Sequence, residues 1–99
     1  MSYDNNNIFA KILRGEVPCD KIYEDEYVLS FYDVNPQKKI HALVIPKGKY
    51  TNLDDFNENA SEKEILGFFR GVTLVAKKLG ISINNGNGYR TLSNIGSDG

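Results

Sequence analysis

Residues 29–47 read LSFYDVNPQKKIHALVIPK, a strand, a tight break and a second strand, and the reading of this stretch decides the fold. Side chains alternate along a strand, so within residues 40–45 Ile40, Ala42 and Val44 point to one side and His41, Leu43 and Ile45 to the other. Both sets are apolar apart from His41, which predicts burial on both faces and a place in the middle of a sheet. Pro46 has no N–H to continue a ladder and marks the strand's end. In the break, Asp33 can accept bonds from the backbone ahead of it and Pro36 fixes φ, so the turn is specified by its own residues.

Upstream, residues 21–24 and 27–32 are β-prone runs separated by Asp25 and Glu26, the pattern of an antiparallel hairpin. With residues 40–46 they make a meander of consecutive strands. Before them, Asn7 suits an N-cap, and Ile8, Phe9, Ile12 and Leu13 repeat at helical spacing. Gly15 stands where a left-handed C′ residue belongs and Pro18 closes the segment, which predicts a helix of about two turns.

Downstream, residues 47–59 are polar and mixed, with Leu53 and Phe56 as the strong anchors, and read as a loop with one helical turn. Ser61 with Glu64 spells a capping box. From there Ile65, Phe68, Phe69, Val72, Val75, Ala76 and Leu79 recur every three or four residues, the stripe of a main helix of roughly five turns ended by Gly80. Glu62 and Glu64 at its start and Lys77 and Lys78 at its end suit the helix dipole. Residues 84–88 (NNGNG) read as a turn, residues 88–95 as a fourth strand, and residues 96–99 as a further turn. A fourth strand with none after it has an open edge, which folded proteins cover or blunt, so the sequence reads as a fold whose final strand is missing.

Ninety-nine residues, 40% hydrophobic and 25% charged, make a single domain over residues 1–99, too apolar to be disordered. A chain this short hides only a little over half of its unfolded surface and gains from oligomerisation. The net charge is −1, and the twelve Lys and Arg residues are scattered or paired, as at Lys38 with Lys39. That argues against a nucleic acid polymer as partner and leaves a single nucleotide open. The N-terminus MSYDNNN lacks the basic start and apolar run of a secretory signal, no stretch suits a membrane span, and the single Cys19 cannot form an internal disulfide. A cytoplasmic location is expected.

Several residues carry a chemical reading beside a structural one. His41 can be a nucleophile, base or ligand, or a core histidine whose nitrogens are satisfied by neighbours. The second reading is preferred, because a metal or triad site needs several converging groups and there is no second histidine. Asp33 can hold ribose hydroxyls or cap its own turn. Phe31 and Val34 beside it are a base-pocket wall or ordinary core. The glycines at 86, 88, 96 and 99 read as turns rather than a phosphate loop. Cys19, without a CxxC partner, reads as a small half-buried residue, and the stripe of the main helix as core or dimer surface.

Taken together, IFAKILRGEVP, IYEDE, LSFYDVNPQKKIHALVIPK, the main helix and GYRTLSNIGSDG resemble the histidine triad (HIT) family, in its branch of small nucleoside phosphoramidase-like proteins. They follow the family's order and spacing over almost the whole chain. The resemblance implies an α+β fold, an antiparallel meander sheet with a short N-terminal helix and one long helix, paired as a two-fold homodimer that binds a purine nucleotide such as AMP with no cofactor or metal. It makes Ile8, Phe9 and Ile12, with Phe31, Val34 and Leu43, the pocket for the base. Asp33 would hold the ribose hydroxyls, and Tyr32 would stand on the pocket rim where some relatives have His. His41 matches the family's upstream histidine, which lies near the site without being the nucleophile, and Asn94 the asparagine that positions reacting groups.

The family's chemistry is hydrolysis of nucleoside phosphoramidates or related AMP esters through a nucleotidyl-histidine, formed on a His-x-His-x-His strand that follows the closing turn. The sequence stops before that strand. The expectation is a chain that keeps the nucleotide pocket without the hydrolysis; the alternatives are a non-catalytic dimeric binding or scaffold protein, and a sheet edge completed by another chain.

Overall fold

The computed structural model describes residues 3–33, 40–84 and 86–96. The turn residues 34–39, and with them Val34, lie outside the described residues, as do Asn85 and the closing residues 97–99. The order of elements is α1 (Ile8–Leu13), β1 (Lys21–Glu24), β2 (Val28–Tyr32), β3 (Ala42–Pro46), α2 (Leu53–Asn59) and α3 (Glu62–Leu79). The strands form one antiparallel sheet in the order β1-β2-β3, an α+β meander with a short first helix and one long helix, as expected.

Local signals account for the element ends. Asn7 caps α1, its side chain accepting from the Ala10 N–H at 2.8 Å, and Gly15 follows with φ +78°. Asp25 sets the β1–β2 hairpin. One carboxylate oxygen accepts from the Tyr27 and Val28 N–H groups at 2.8 and 3.0 Å, and the other accepts from the Tyr23 hydroxyl at 2.7 Å. The capping box of α3 is complete: Ser61 Oγ accepts from the Glu64 N–H and the Glu64 carboxylate accepts from the Ser61 N–H, both at 3.1 Å. Gly80 closes the helix at φ +74°.

The core lies on both faces of β2, where Val28, Leu29, Ser30 and Phe31 are all buried. Val28 faces α3. A Cβ placed on Gly71 would come within 2.9 Å of Val28 Cγ2, so the missing side chain at Gly71 is what lets the helix sit against the strand. By alternation Ser30 shares that face, while Leu29 and Phe31 point to the other. There Phe9 of α1 packs on Phe31, with ring centroids 6.4 Å apart.

Three sequence expectations are corrected. β3 is at the edge of the sheet, half-buried throughout, and Ile40 lies outside it and is exposed; the strand buried on both faces is β2. Asp33 donates its N–H to the His41 carbonyl and Lys47 to that of Tyr27, each at 3.0 Å. That register aims the hydrogen-bonding groups of Leu43 and Ile45 at β2 and turns those of Ala42 and Val44 outward, where no strand among the described residues meets them. Residues 88–95 form no strand, and Tyr89 and Leu92 are exposed. Alternation alone does not make a strand without a neighbouring ladder. The one helical turn expected within residues 47–59 is longer than that, a seven-residue helix over Leu53–Asn59 capped by Asn52, which accepts from the Asp55 N–H at 2.9 Å. Its one buried side chain, Phe56, packs 5.2 Å from both the Tyr50 and the Phe68 rings.

Candidate functional site

The face of the sheet turned away from α3 gathers most of the residues singled out in the sequence. Along β2 and just past it, Leu29, Phe31 and Asp33 share this face. Across the ladder Ile45 pairs with Leu29 and Leu43 with Phe31, so Ile45, Leu43 and, two residues before it, His41 share it too. At the end of the row His41 Nδ1 stands 3.4 Å from the Asp33 carboxylate, with both side chains partly exposed. The carboxylate and the imidazole are thus held together by the strand register as well as by their own contact.

Helix α1 closes this face from above. Phe9 covers Phe31, while Ile8 and Phe9 keep 51% and 41% of their surface exposed, an apolar area open to solvent at the mouth of the Phe31–Leu43 row. Ile12, one turn further on, is half-buried. The arrangement offers the exposed parts of Ile8 and Phe9 and the half-buried Leu43 near a carboxylate that can accept from two hydroxyls.

Not every candidate joins this cluster. Tyr32 follows Phe31 in β2 and therefore points to the opposite face, half-exposed, in register with Ala42. Asn94 is exposed in the irregular segment after α3. Cys19 is half-buried and unpaired by disulfide. The region of Gly86 and Gly88 is irregular and mostly exposed. Among the described residues no group of three His, Cys, Asp or Glu side chains is placed to hold a metal ion, and no helix is long and apolar enough to cross a membrane.

Sequence reasoning passed over a cleft beside the cluster. It has a volume of about 360 Å³ between the end of α1 and the sheet, with Ile12, Leu13, Val17 and Leu29 on its walls and Lys21 and Glu24 at its rim. Glu24 bridges Lys21 at 2.6 Å and Lys47 at 2.8 Å. The hydrogen bond from Lys21, then that from Lys47, brings its carboxyl down from the ordinary 4.5 to about 2. The signal for Leu29 was available, since it lies two residues from Phe31 and so on the same face; the Glu24–Lys47 pair joins distant positions and is not visible in any local pattern.

Comparison with known proteins matches the arrangement of these elements. The HIT domain model matches residues 14–99. An uncharacterised 13.2 kDa HIT-like protein of Azospirillum brasilense is 54% identical over 97 residues, which cover 98% of this chain and 77% of that protein. A 14 kDa zinc-binding protein of Zea mays is 42% identical over 97% of this chain and 73% of its own length. Among solved structures, a histidine triad protein from Clostridium difficile is 36% identical at a TM-score of 0.82, covering 96% of this chain and 79% of that one. A HIT family hydrolase from Clostridium thermocellum is 33% identical at a TM-score of 0.83, with the same coverage. With sequence and fold agreeing over nearly its whole length, this chain belongs to the HIT family.

Proposed function

We propose that the chain binds a purine nucleotide such as AMP on the α1 face of its sheet, with the base against Ile8, Phe9, Ile12, Phe31 and Leu43 and the ribose hydroxyls on Asp33. The observation that carries this reading is the convergence of Phe9, Phe31, Leu43, Asp33 and His41 on one face, an apolar surface ended by a carboxylate. Val34 and Asn94 extend the proposed site as the family pattern has them, while Tyr32, which points to the opposite face of the sheet, is left out of it.

The chemistry we assign to this pocket is the family's: hydrolysis of a nucleoside phosphoramidate or related AMP ester through a nucleotidyl-histidine. That step needs a nucleophilic imidazole in line with the α-phosphorus and donors for its oxygens. The 99 residues contain one histidine, His41, and it stands beside the ribose-binding carboxylate. We assign it to orienting Asp33 rather than to attack. These residues therefore supply binding, and turnover requires a second imidazole brought to the pocket.

A non-catalytic dimeric binding protein is the second reading, favoured by the outer side of α3, where Leu66, Phe69 and Leu74 are each 44–53% exposed. We propose this apolar stripe as the homodimer surface. We propose a cytoplasmic location for the chain.

The test of the pocket compares adenosine with 2′,3′-dideoxyadenosine by calorimetric titration. Losing both hydroxyls should cost about 1–3 kcal/mol in the wild-type chain, the range for hydrogen bonds to a charged group, and nothing further in Asp33→Ala. Equal discrimination by the wild type and the variant would leave Asp33 a turn residue.

A further inference from the structure

We infer that Asn87 is a site of self-catalysed covalent modification: the backbone nitrogen of Gly88 attacks its side-chain amide, and hydrolysis of the resulting ring leaves isoaspartate or aspartate in its place. The inference stands apart from the nucleotide pocket and gives a chemical role to NNGNG, residues 84–88, which the proposed site leaves unused.

The chain has two Asn-Gly pairs, Asn85 with Gly86 and Asn87 with Gly88, and the structure tells them apart. Ring closure needs a following residue with no side chain to obstruct it and a main-chain nitrogen that is free to attack. The Gly86 N–H is committed. It donates to the Ser82 carbonyl at 2.7 Å, and a Cβ on Gly86 would fall 2.5 Å from the Gly80 carbonyl oxygen, so this glycine is packed against the end of α3. The Gly88 N–H meets no acceptor among the described residues. A Cβ on Gly88 would come no nearer to a described residue than 3.8 Å, at the tip of Ile83, and Asn87 is exposed in an irregular segment. There the amide and the nitrogen that follows it can turn to meet each other without breaking a hydrogen bond of the fold.

The reaction is an amide exchange followed by a hydrolysis, with water as the co-reactant. The Gly88 nitrogen bonds to the side-chain carbonyl carbon of Asn87 and the bond from that carbon to Nδ2 breaks. Nδ2 leaves as ammonia, taking the proton given up by Gly88. Water then opens the cyclic imide at either carbonyl, one of its hydrogens returning to the Gly88 nitrogen. Opening at the side-chain carbonyl gives aspartate. Opening at the main-chain carbonyl routes the chain through the former side chain and gives isoaspartate. Either product adds a negative charge to a chain whose net charge is −1, and isoaspartate also lengthens the main chain just ahead of Tyr89 and Arg90.

The experiment incubates the 99-residue chain at mildly alkaline pH in water enriched in heavy oxygen, both folded and in urea, beside Asn87→Gln. Tryptic cleavage after Lys78 and Arg90 releases residues 79–90, and tandem mass spectrometry locates the incorporated oxygen. Methyl transfer by an isoaspartyl carboxyl methyltransferase reports the isoaspartate. The expected result is modification of the folded chain at Asn87, with Asn85 slower by about fivefold or more, the factor imposed by one net hydrogen bond at Gly86. The two positions should converge in urea, and the fast modification should be missing from Asn87→Gln. A folded chain whose Asn87 stays intact while the unfolded chain is modified overturns the inference, and so does Asn85 reacting as fast as Asn87 in the folded chain. Modification that yields no isoaspartate overturns it too, since that is direct hydrolysis without a ring.

Discussion

Replacing Gly71 by Ala sets two effects of similar size against each other at the contact that seats α3 on the sheet. The substitution removes a mid-helix glycine, which in an unobstructed helix gains about 0.8–1.0 kcal/mol. The new Cβ, however, would lie 2.9 and 3.1 Å from the two methyl groups of Val28, well inside ordinary contact. Val28 is fully buried and its backbone is held in the ladder between β1 and β3, so neither partner can yield cheaply. Overpacking of this kind costs about 1–3 kcal/mol, and Gly71→Ala should destabilise the chain by roughly 0–2 kcal/mol. Val28→Ala alone removes two buried methyl groups and should cost about 2–3 kcal/mol. In the double variant the alanine Cβ occupies the vacated space, the clash is gone and the helix gain remains. Val28→Ala/Gly71→Ala should therefore be about 1 kcal/mol more stable than Val28→Ala. Urea unfolding of the four proteins, followed by circular dichroism, measures the cycle. A Gly71→Ala chain more stable than wild type by the full helix gain would mean that α3 does not rest on Val28.

Other perturbations probe the charges, the core and the outer helix face. Glu24, with its carboxyl held near 2 by Lys21 and Lys47, favours the folded state above its unfolded value of about 4.5. That contribution, about 1 kcal/mol or less for a partly exposed group, should be lost as pH falls from 5 through 2 and should be absent in Glu24→Gln, as acid-unfolding curves of the two proteins would show. Ser30 is fully buried and its hydroxyl has no hydrogen-bond partner among the described residues, so Ser30→Ala should be neutral or stabilising by up to about 1 kcal/mol in the same urea assay; a loss of 2 kcal/mol or more would reveal a partner. Phe69→Glu on the outer side of α3 should convert a dimer to monomer in sedimentation velocity with the fold intact, and an unchanged dimer would move the interface elsewhere.

Much of this fold is written in short-range chemistry. Asn7, Asp25, Ser61 and Glu64 each act within a few residues of themselves, and the ends they set for α1, the β1–β2 hairpin and α3 could be read directly. Asn52 belongs to the same class, but the polar residues after it hid a helix whose single buried anchor is Phe56. What local pattern could not decide was rank within the sheet. Residues 40–45 are more uniformly apolar than residues 28–32, yet β2 is central because it has a strand on each side and helices over both faces. β3 instead has no strand beyond it among the described residues, and its apolar side chains are only half-buried. Residues 88–95 fail as a strand for the complementary reason: pairing is a property of two segments. The candidate site was legible as far as alternation carries it, through Phe31, Asp33, His41 and Leu43. It failed at Tyr32, where adjacency in sequence means opposite faces, and at the cleft, whose rim depends on Glu24 meeting Lys47 from across the sheet.

The central claim is that the α1 face of the sheet is a nucleotide site. Calorimetric titration of the 99-residue chain with AMP, alongside Phe9→Ala, tests it most directly. The account predicts saturable binding by the wild type, weakened by roughly tenfold or more when the Phe9 ring over Phe31 is removed. A folded chain that takes up no AMP, or one whose affinity is indifferent to Phe9, would contradict it.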